Sequence, residues 1–164
     1  NINGIATTYG IEGDDRTNFL YTDERGYMYC EKYNERSTRY EWIPVFRYAE
    51  ILLNLAECYY NTGNESKAIE CVKQVRTRSI AEDKDPLVTY KETSDALWTV
   101  IDNERRWEFM AEGIRGYDIS RRAEDYHHPL TDGSWTVVAT PSDKTTYCWS
   151  FPLYETTVNT ALSE

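Results

Sequence analysis

Three glutamates at four-residue spacing are the residues whose arrangement most directly suggests chemistry. Glu104, Glu108 and Glu112 would share one face of a helix, in line with the apolar row of Leu97 and Ile101. Paired carboxylates can catalyse acid–base reactions or bind a metal, but like charges at this spacing repel unless cations lie between them. Because five arginines lie close by in the sequence, we predict a buried ion-pair network instead. Its predicted members are Glu104, Arg105, Glu108, Glu112, Arg115, Asp118 and Arg121.

The two histidines are the residues on which a Ser-His-Asp or Cys-His mechanism would depend. His127 and His128 are adjacent, so their side chains would point apart in extended backbone and would not bind one metal ion together. Pro129 follows them, and we predict a solvent-exposed turn. The sequence contains no HExxH, Walker A or GxGxxG pattern. These observations favour a protein that is not an enzyme and that has no cofactor and no metal site.

Tyrosine and tryptophan are abundant and provide better candidates for ligand binding. Aromatic residues make up 14% of the chain, with 14 Tyr and 5 Trp against 4 Phe. A flat aromatic face can stack on the apolar C–H groups of a sugar ring, but such rings also pack in ordinary cores. Both readings stay open, except that we assign Trp98 and Trp107 to the core because they lie within a predicted helix. The candidate ligand-binding residues are Tyr27, Tyr29, Tyr40, Trp42 and Trp135.

Charge and hydropathy exclude several classes of protein. The chain has 164 residues, a net charge of −10 and a mean hydropathy of −0.70, typical of a globular domain. It lacks the basic patch that nucleic-acid binding requires. No apolar run approaches the ~20 residues of a membrane span. The chain opens at Asn1 without a lipidation motif, so we expect a fragment or processed product whose targeting signal lay upstream.

Helical periodicity occupies the middle of the chain, between two regions of strands and loops. Residues 1–43 are predicted to be strand and loop, residues 44–123 helical, and residues 124–164 a loop-and-strand tail. The predicted helices cover 47–62, 64–79, 94–111 and 117–123. The predicted fold is therefore mainly α, with a helix pair plus further helices, irregular loops, and short β-hairpins at both ends.

Each end of the chain has one candidate β-hairpin. Near the start, segments 19–21 and 27–33 flank a turn that ends in Gly26. Near the end, segments 135–139 and 145–151 flank a turn that contains Pro141.

Residues 49–75 fit the tetratricopeptide pattern, in which two antiparallel helices pack closely through small side chains. The slots of the pattern are filled by Leu52, Leu55, Ala56 and Tyr59, then Gly63 at the turn, then Ala68, Val72 and Val75. A single repeat cannot bury its own face, so the pair must pack against other helices. Cys58 and Cys71 fall at the margins of the pair, where we expect packed thiols rather than a required disulfide.

Four segments also carry a recognisable combination of motifs. They are PVFRYAEILL with LAE at 44–57, VRTR at 75–78, ERRWEFMAEGIRGYD at 104–118, and FPL at 151–153 with a short helical tail. In this order they resemble the C-terminal part of the SusD/RagB family, over roughly residues 14–162. Asp15-Arg16 is similar to the family's Asp-Pro-Arg step, although Asp15 stands where Pro is usual.

The resemblance implies a helical, non-catalytic protein on the outer face of the outer membrane, held by an N-terminal lipid anchor that this chain lacks. Such proteins cover the outer opening of a SusC-like TonB-dependent transporter. They capture oligosaccharides, or in some cases peptides, for import. Their tetratricopeptide-like helices serve the scaffold and the transporter contact, while loop aromatics hold the ligand. Two alternatives remain: a peptide- or protein-binding tetratricopeptide-like module, and a glycoside hydrolase with two carboxylates about 5–9 Å apart in an open cleft.

Overall fold

The computed structural model describes residues 13–26, 28–33, 44–85, 94–130, 134–143, 147, 149–150 and 152–159. The chain divides into two compact units, residues 1–115 and 116–164. The first unit contains a 3-10 helix (Asp15–Phe19), strands β1 (Leu20–Thr22) and β2 (Met28–Cys30), and helices α1 (Tyr48–Asn61), α2 (Glu65–Arg76) and α3 (Ser94–Glu108). Helix α4 (Ile114–Arg122) spans the division, and the second unit continues with β3 (Tyr126–Pro129), β4 (Trp135–Ala139) and α5 (Leu153–Val158). The predicted mainly α fold is confirmed.

Helices α1 and α2 form the tetratricopeptide-like pair that the sequence predicts. The connection between them is three residues long, and Gly63 adopts the positive φ of +74° that ends α1. The Asn64 side chain then accepts a hydrogen bond from the backbone N–H of Lys67 and caps α2. Ala56 and Ala68 are completely buried, as expected of small residues at a close helix contact.

The core lies between this pair and α3. Leu53 of α1, Val72 of α2, and Leu97 and Ile101 of α3 are all fully buried in one cluster. Leu55 fills a slot of the tetratricopeptide pattern, but 41% of its surface is exposed. The buried residues of α1 are Ala49, Leu52, Leu53 and Ala56. At about 100° per residue, Leu55 points roughly 110° away from the centre of this face.

The cysteine predictions were partly wrong. Cys58 is exposed, whereas Cys71 belongs to the buried core cluster rather than to its margin. Both thiols are free. Burial, with a smaller contribution from the charge of Glu70, raises the pKa of the Cys71 thiol.

Helix α3 ends three residues earlier than predicted, at Glu108. The following turn contains Ala111 at φ +64° and Gly113 at φ +76°, and this left-handed backbone cannot continue a helix. Trp107 is buried, as predicted, but Trp98 is only half-buried and its ring lies 5.4 Å from that of Tyr60. In the described ranges, no helix is long and apolar enough to cross a bilayer.

The first predicted hairpin is confirmed, with Leu20 opposite Cys30 and Thr22 opposite Met28. The second prediction was wrong about the pairing. Strand β4 pairs antiparallel with the preceding β3, and the described residues of the segment 145–151 are not in a strand. The predicted turn at His127 and His128 was also wrong, since both lie in β3 with exposed side chains. Pro129 is compatible with this strand because it is the last residue, where no ladder hydrogen bond need be donated.

Candidate functional site

The buried carboxylates of the first unit are held by cations that come from distant parts of the sequence. Glu104 accepts hydrogen bonds from Arg16 Nη1 at 2.7 Å and from Arg76 Nε at 2.7 Å. Both of its carboxylate oxygens are thus occupied, and its side chain is buried. A carboxylate in this arrangement is paired and desolvated, which is the arrangement of a structural ion pair.

Glu108 lies at the centre of the cluster and contacts three arginines. Arg16 Nη1 approaches one oxygen at 3.0 Å, and Arg47 and Arg78 both donate to the other. Burial alone would raise the pKa of Glu108, but the hydrogen bonds and charges of Arg47 and Arg78 outweigh it and lower the pKa below its usual value. A group held ionised in this way cannot act as a general acid near neutral pH.

Glu112 is the third glutamate of the row, and its partners Lys32 and Arg47 also bind the C-terminal end of α3. Arg47 donates to both oxygens of Glu112, at 2.9 and 2.7 Å, and Lys32 forms an ion pair with the same carboxylate. Lys32 Nζ and Arg47 Nη2 further donate to the Glu108 carbonyl, at 2.8 and 2.7 Å. Cations at this position satisfy free carbonyls and complement the negative end of the helix dipole.

Asp14 and Arg16 attach the 3-10 helix to α3. Arg16 donates from Nε and Nη2 to the two Asp14 oxygens, and Trp107 Nε1 donates to Asp14 Oδ2 at 2.7 Å. The Asp14 side chain also accepts the backbone N–H of Arg16 and thereby caps the 3-10 helix. Asp14, Arg16 and Trp107 are all buried, so this contact is part of the core of the first unit.

Each of the three predicted arginines has a partner outside the row of three glutamates, and one of these partners, Asp118, is itself a predicted member of the network. Arg105 donates to Asn54, Arg115 to Asp102, and Arg121 to Asp118. The cations on the three glutamates were missed because none of them is near in sequence. Arg16 and the 75–78 segment were marked by motifs, but motif membership does not say which carboxylate an arginine will meet. The cations that hold the glutamates are Arg16, Lys32, Arg47, Arg76 and Arg78.

An open cavity of about 450 Å³ lies beside the network. Phe19, Trp107 and Met110 provide apolar lining, and Lys32 and Arg78 are among its charged residues. In the part of the chain that the structure describes, no group of three His, Cys, Asp or Glu side chains is arranged to hold a metal ion.

The aromatic candidates that can be placed are exposed. Trp135 lies on β4 with 55% of its surface exposed, and Tyr29 lies on β2 with 45% exposed. The Tyr29 hydroxyl is 3.3 Å from Asp23 Oδ2, at the hairpin turn. Tyr27, Tyr40 and Trp42 lie outside the described residues. Tyr29 and Trp135 belong to different units, so each is considered by itself.

A tetratricopeptide-like helix pair, a third helix with a buried Glu–Arg network, and small β-hairpins are the main features of the described residues. Residues 4–159 match the family model described as the SusD family. The chain belongs to this family.

Relatives in this family are much longer than the chain. A SusD-like protein of Formosa agariphila is 37% identical over 83 residues, which are 48% of this chain and 16% of the relative. A crystal structure of a SusD superfamily protein from Bacteroides fragilis is 36% identical with a TM-score of 0.80, covering 98% of this chain and 37% of that one. A SusD-like carbohydrate binding protein from Bacteroides vulgatus shares the fold at a TM-score of 0.68 and 21% identity, over 92% and 38% of the two chains. The chain therefore spans less than half of the relatives it matches.

Proposed function

We propose that the protein is a non-catalytic carbohydrate-binding protein that captures oligosaccharides at the cell surface. The match of residues 4–159 to the SusD family carries this proposal. The similar fold of a protein that is itself described as carbohydrate-binding supports it. The exposed rings of Trp135 and Tyr29 supply a surface chemistry suited to stacking on sugars.

The state of the carboxylates supports binding without catalysis. A glycosidase needs one carboxylic acid with a raised pKa and a second carboxylate across an open cleft. Glu104, Glu108 and Glu112 instead lie buried against arginine or lysine, and the pKa of Glu108 is lowered. We therefore assign this row to the scaffold.

The proposal includes a location and a partner. The protein would be attached to the outer face of the outer membrane by a lipid anchor and would work with a SusC-like TonB-dependent transporter. Exposed apolar side chains at the start of α1 support contact with further protein. Val45, Phe46, Tyr48 and Ile51 are each more than half exposed within seven residues, which is unusual for a free surface.

The test is a binding screen on the full-length protein with neutral and acidic oligosaccharides and with peptides, followed by titration calorimetry. Capture of at least one oligosaccharide without its cleavage is the expected result. Cleavage of the sugar would refute the non-catalytic assignment, and binding of peptides alone would replace the proposed ligand class. Co-purification with a TonB-dependent transporter tests the partner separately.

A further inference from the structure

One face of the β3–β4 hairpin brings together an exposed indole and an exposed imidazole. The register places His127 opposite Val137 and Pro129 opposite Trp135. Cross-strand partners share a face of the sheet, and so do residues two apart on one strand. His127, Trp135 and Val137 therefore lie on the same face, and all three are exposed.

The base of this hairpin is fixed to α4. The Tyr126 hydroxyl donates to the Gly116 carbonyl at 2.8 Å and also lies 2.7 Å from Ser120 Oγ. The Tyr147 hydroxyl donates to the Ile119 carbonyl at 3.0 Å, and the two tyrosine rings meet edge to face with centroids 5.4 Å apart. A strand anchored in this way loses little conformational freedom when its face binds a ligand.

A bulge separates the anchored base from the exposed face. The register shifts between Tyr126 and His127, because the pairs Tyr126–Ala139 and His127–Val137 skip Val138 on β4. Bulges increase the local twist and redirect the side chains that follow, and they are common beside binding sites. Here the change in register separates the partly buried hydrogen bond of Tyr126 to Gly116 from the exposed face that begins at His127.

We infer that this face is a binding platform for a neutral oligosaccharide. The inference rests on the proposed function and specifies one of its sites. One sugar ring would stack on Trp135 and contact Val137, and His127 would hydrogen-bond a hydroxyl of the same or the next ring. Diagonal partners in such a ladder are about 7–8 Å apart, within reach of these two long side chains. A neutral imidazole offers both a donor and an acceptor, which suits a hydroxyl group.

The charge of this unit selects the class of sugar. Residues 116–164 contain seven Asp and Glu against three Lys and Arg. An excess of carboxylates repels uronate-containing or sulfated glycans and acidic peptides. Neutral glycans meet no such barrier, and their binding should change little with added salt.

The experiment is titration calorimetry of the full-length protein with short neutral oligosaccharides of the glucan, xylan and mannan classes. Oligogalacturonate serves as the acidic comparison. Trp135→Ala should weaken neutral-sugar binding at least tenfold, about 1.4 kcal/mol, because the stacking surface is lost. Trp135→Phe should keep most of the affinity, and His127→Ala should cost a few-fold. Trp149→Ala is the matched control, since Trp149 is fully exposed in the same unit but lies outside the hairpin.

The outcomes separate this platform from the broader function. Wild-type binding that survives both Trp135→Ala and His127→Ala would refute the platform and leave carbohydrate capture intact. Equal losses in Trp135→Ala and Trp149→Ala would also refute it, because the hairpin face would not be the site. Tighter binding of oligogalacturonate than of neutral sugars would overturn the charge argument. A wild-type protein that binds none of these sugars would refute both proposals.

Discussion

Replacing Glu108 by Gln tests the central ion-pair cluster, because it removes one charge and leaves the shape of the side chain. Removing one partner of a buried ion pair typically costs about 3–5 kcal/mol, since the other charge is left uncompensated. Here Arg16 would keep Asp14 and Glu104, and Arg47 would keep Glu112. Arg78 would lose Glu108, but its side chain is 60% exposed and water would compensate it. We therefore expect Glu108→Gln to lower the free energy of unfolding by about 3 kcal/mol, near the lower end of that range.

Urea unfolding measures this loss directly. For slopes of about 1–3 kcal/mol per molar urea, the midpoint should fall by roughly 1–3 M with the slope unchanged. Glu124→Gln is the control, because the Arg122–Glu124 pair has a longer separation of 3.6 Å and a partly exposed carboxylate. Its expected cost is below about 1 kcal/mol. A cost below about 1 kcal/mol for Glu108→Gln as well would show that the cluster adds little to stability.

The pH dependence of the same variant checks the electrostatic cause. The pKa of Glu108 is lowered in the folded protein, so its contribution to stability is fully present above the unfolded pKa of about 4.3. That contribution is lost as the pH falls through the lower folded value. The stability difference between the wild type and Glu108→Gln should therefore be constant near neutral pH and shrink below about pH 4. If the difference in free energy of unfolding between the wild type and Glu108→Gln stays constant below about pH 4, the cause is packing and not charge.

Three further changes test the scaffold. Gly63→Ala should lower the melting temperature by an amount equivalent to about 1 kcal/mol, because alanine is strained at the positive φ of +74°; an unchanged melting temperature would contradict this turn geometry. Trp107→Phe should cost about 1–3 kcal/mol in urea unfolding by removing the indole donor to Asp14, whereas Trp98→Phe, at a half-buried ring, should cost less. In native protein an alkylating reagent should modify Cys58 quickly and Cys71 only after unfolding, as read by peptide mass spectrometry; similar rates would place Cys71 outside the core.

Local patterns predicted the helix pair and the first hairpin well. The small residues Ala56 and Ala68, together with Gly63, define a close helix pair over fewer than thirty residues, and helical periodicity requires no information from elsewhere. The turn ending in Gly26 likewise joins strands that are neighbours in sequence. In such segments the interactions that decide the structure lie within the window that the pattern covers.

Pairings between distant or competing segments could not be predicted in the same way. The three predicted arginine partners of the glutamates were neighbours in sequence, whereas Arg16 meets Glu108 across 92 residues. Strand β4 could pair with the segment before it, which is β3, or with the segment 145–151 after it. The sequence pattern alone does not show which of the two forms the pair, and in the structure β4 pairs with β3. The aromatic candidates depend on loops, whose conformations are set by contacts rather than by periodicity.

The separation between Asp14, Arg16 and their partners on α3 also has a consequence for synthesis. Arg16 is joined to Glu104 across 88 residues and Trp107 to Asp14 across 93. At ribosomal rates of about 5–20 residues per second, roughly 5–20 s pass between the synthesis of the segment around Arg16 and the synthesis of α3. During that interval Arg16 and Asp14, which are buried in the folded unit, remain in water. Helices α1 and α2 lie in sequence between this segment and α3, so they can fold before α3 has been made. The segment that holds Asp14 and Arg16 is therefore made before α1, α2 and α3 and is expected to dock after these helices have formed.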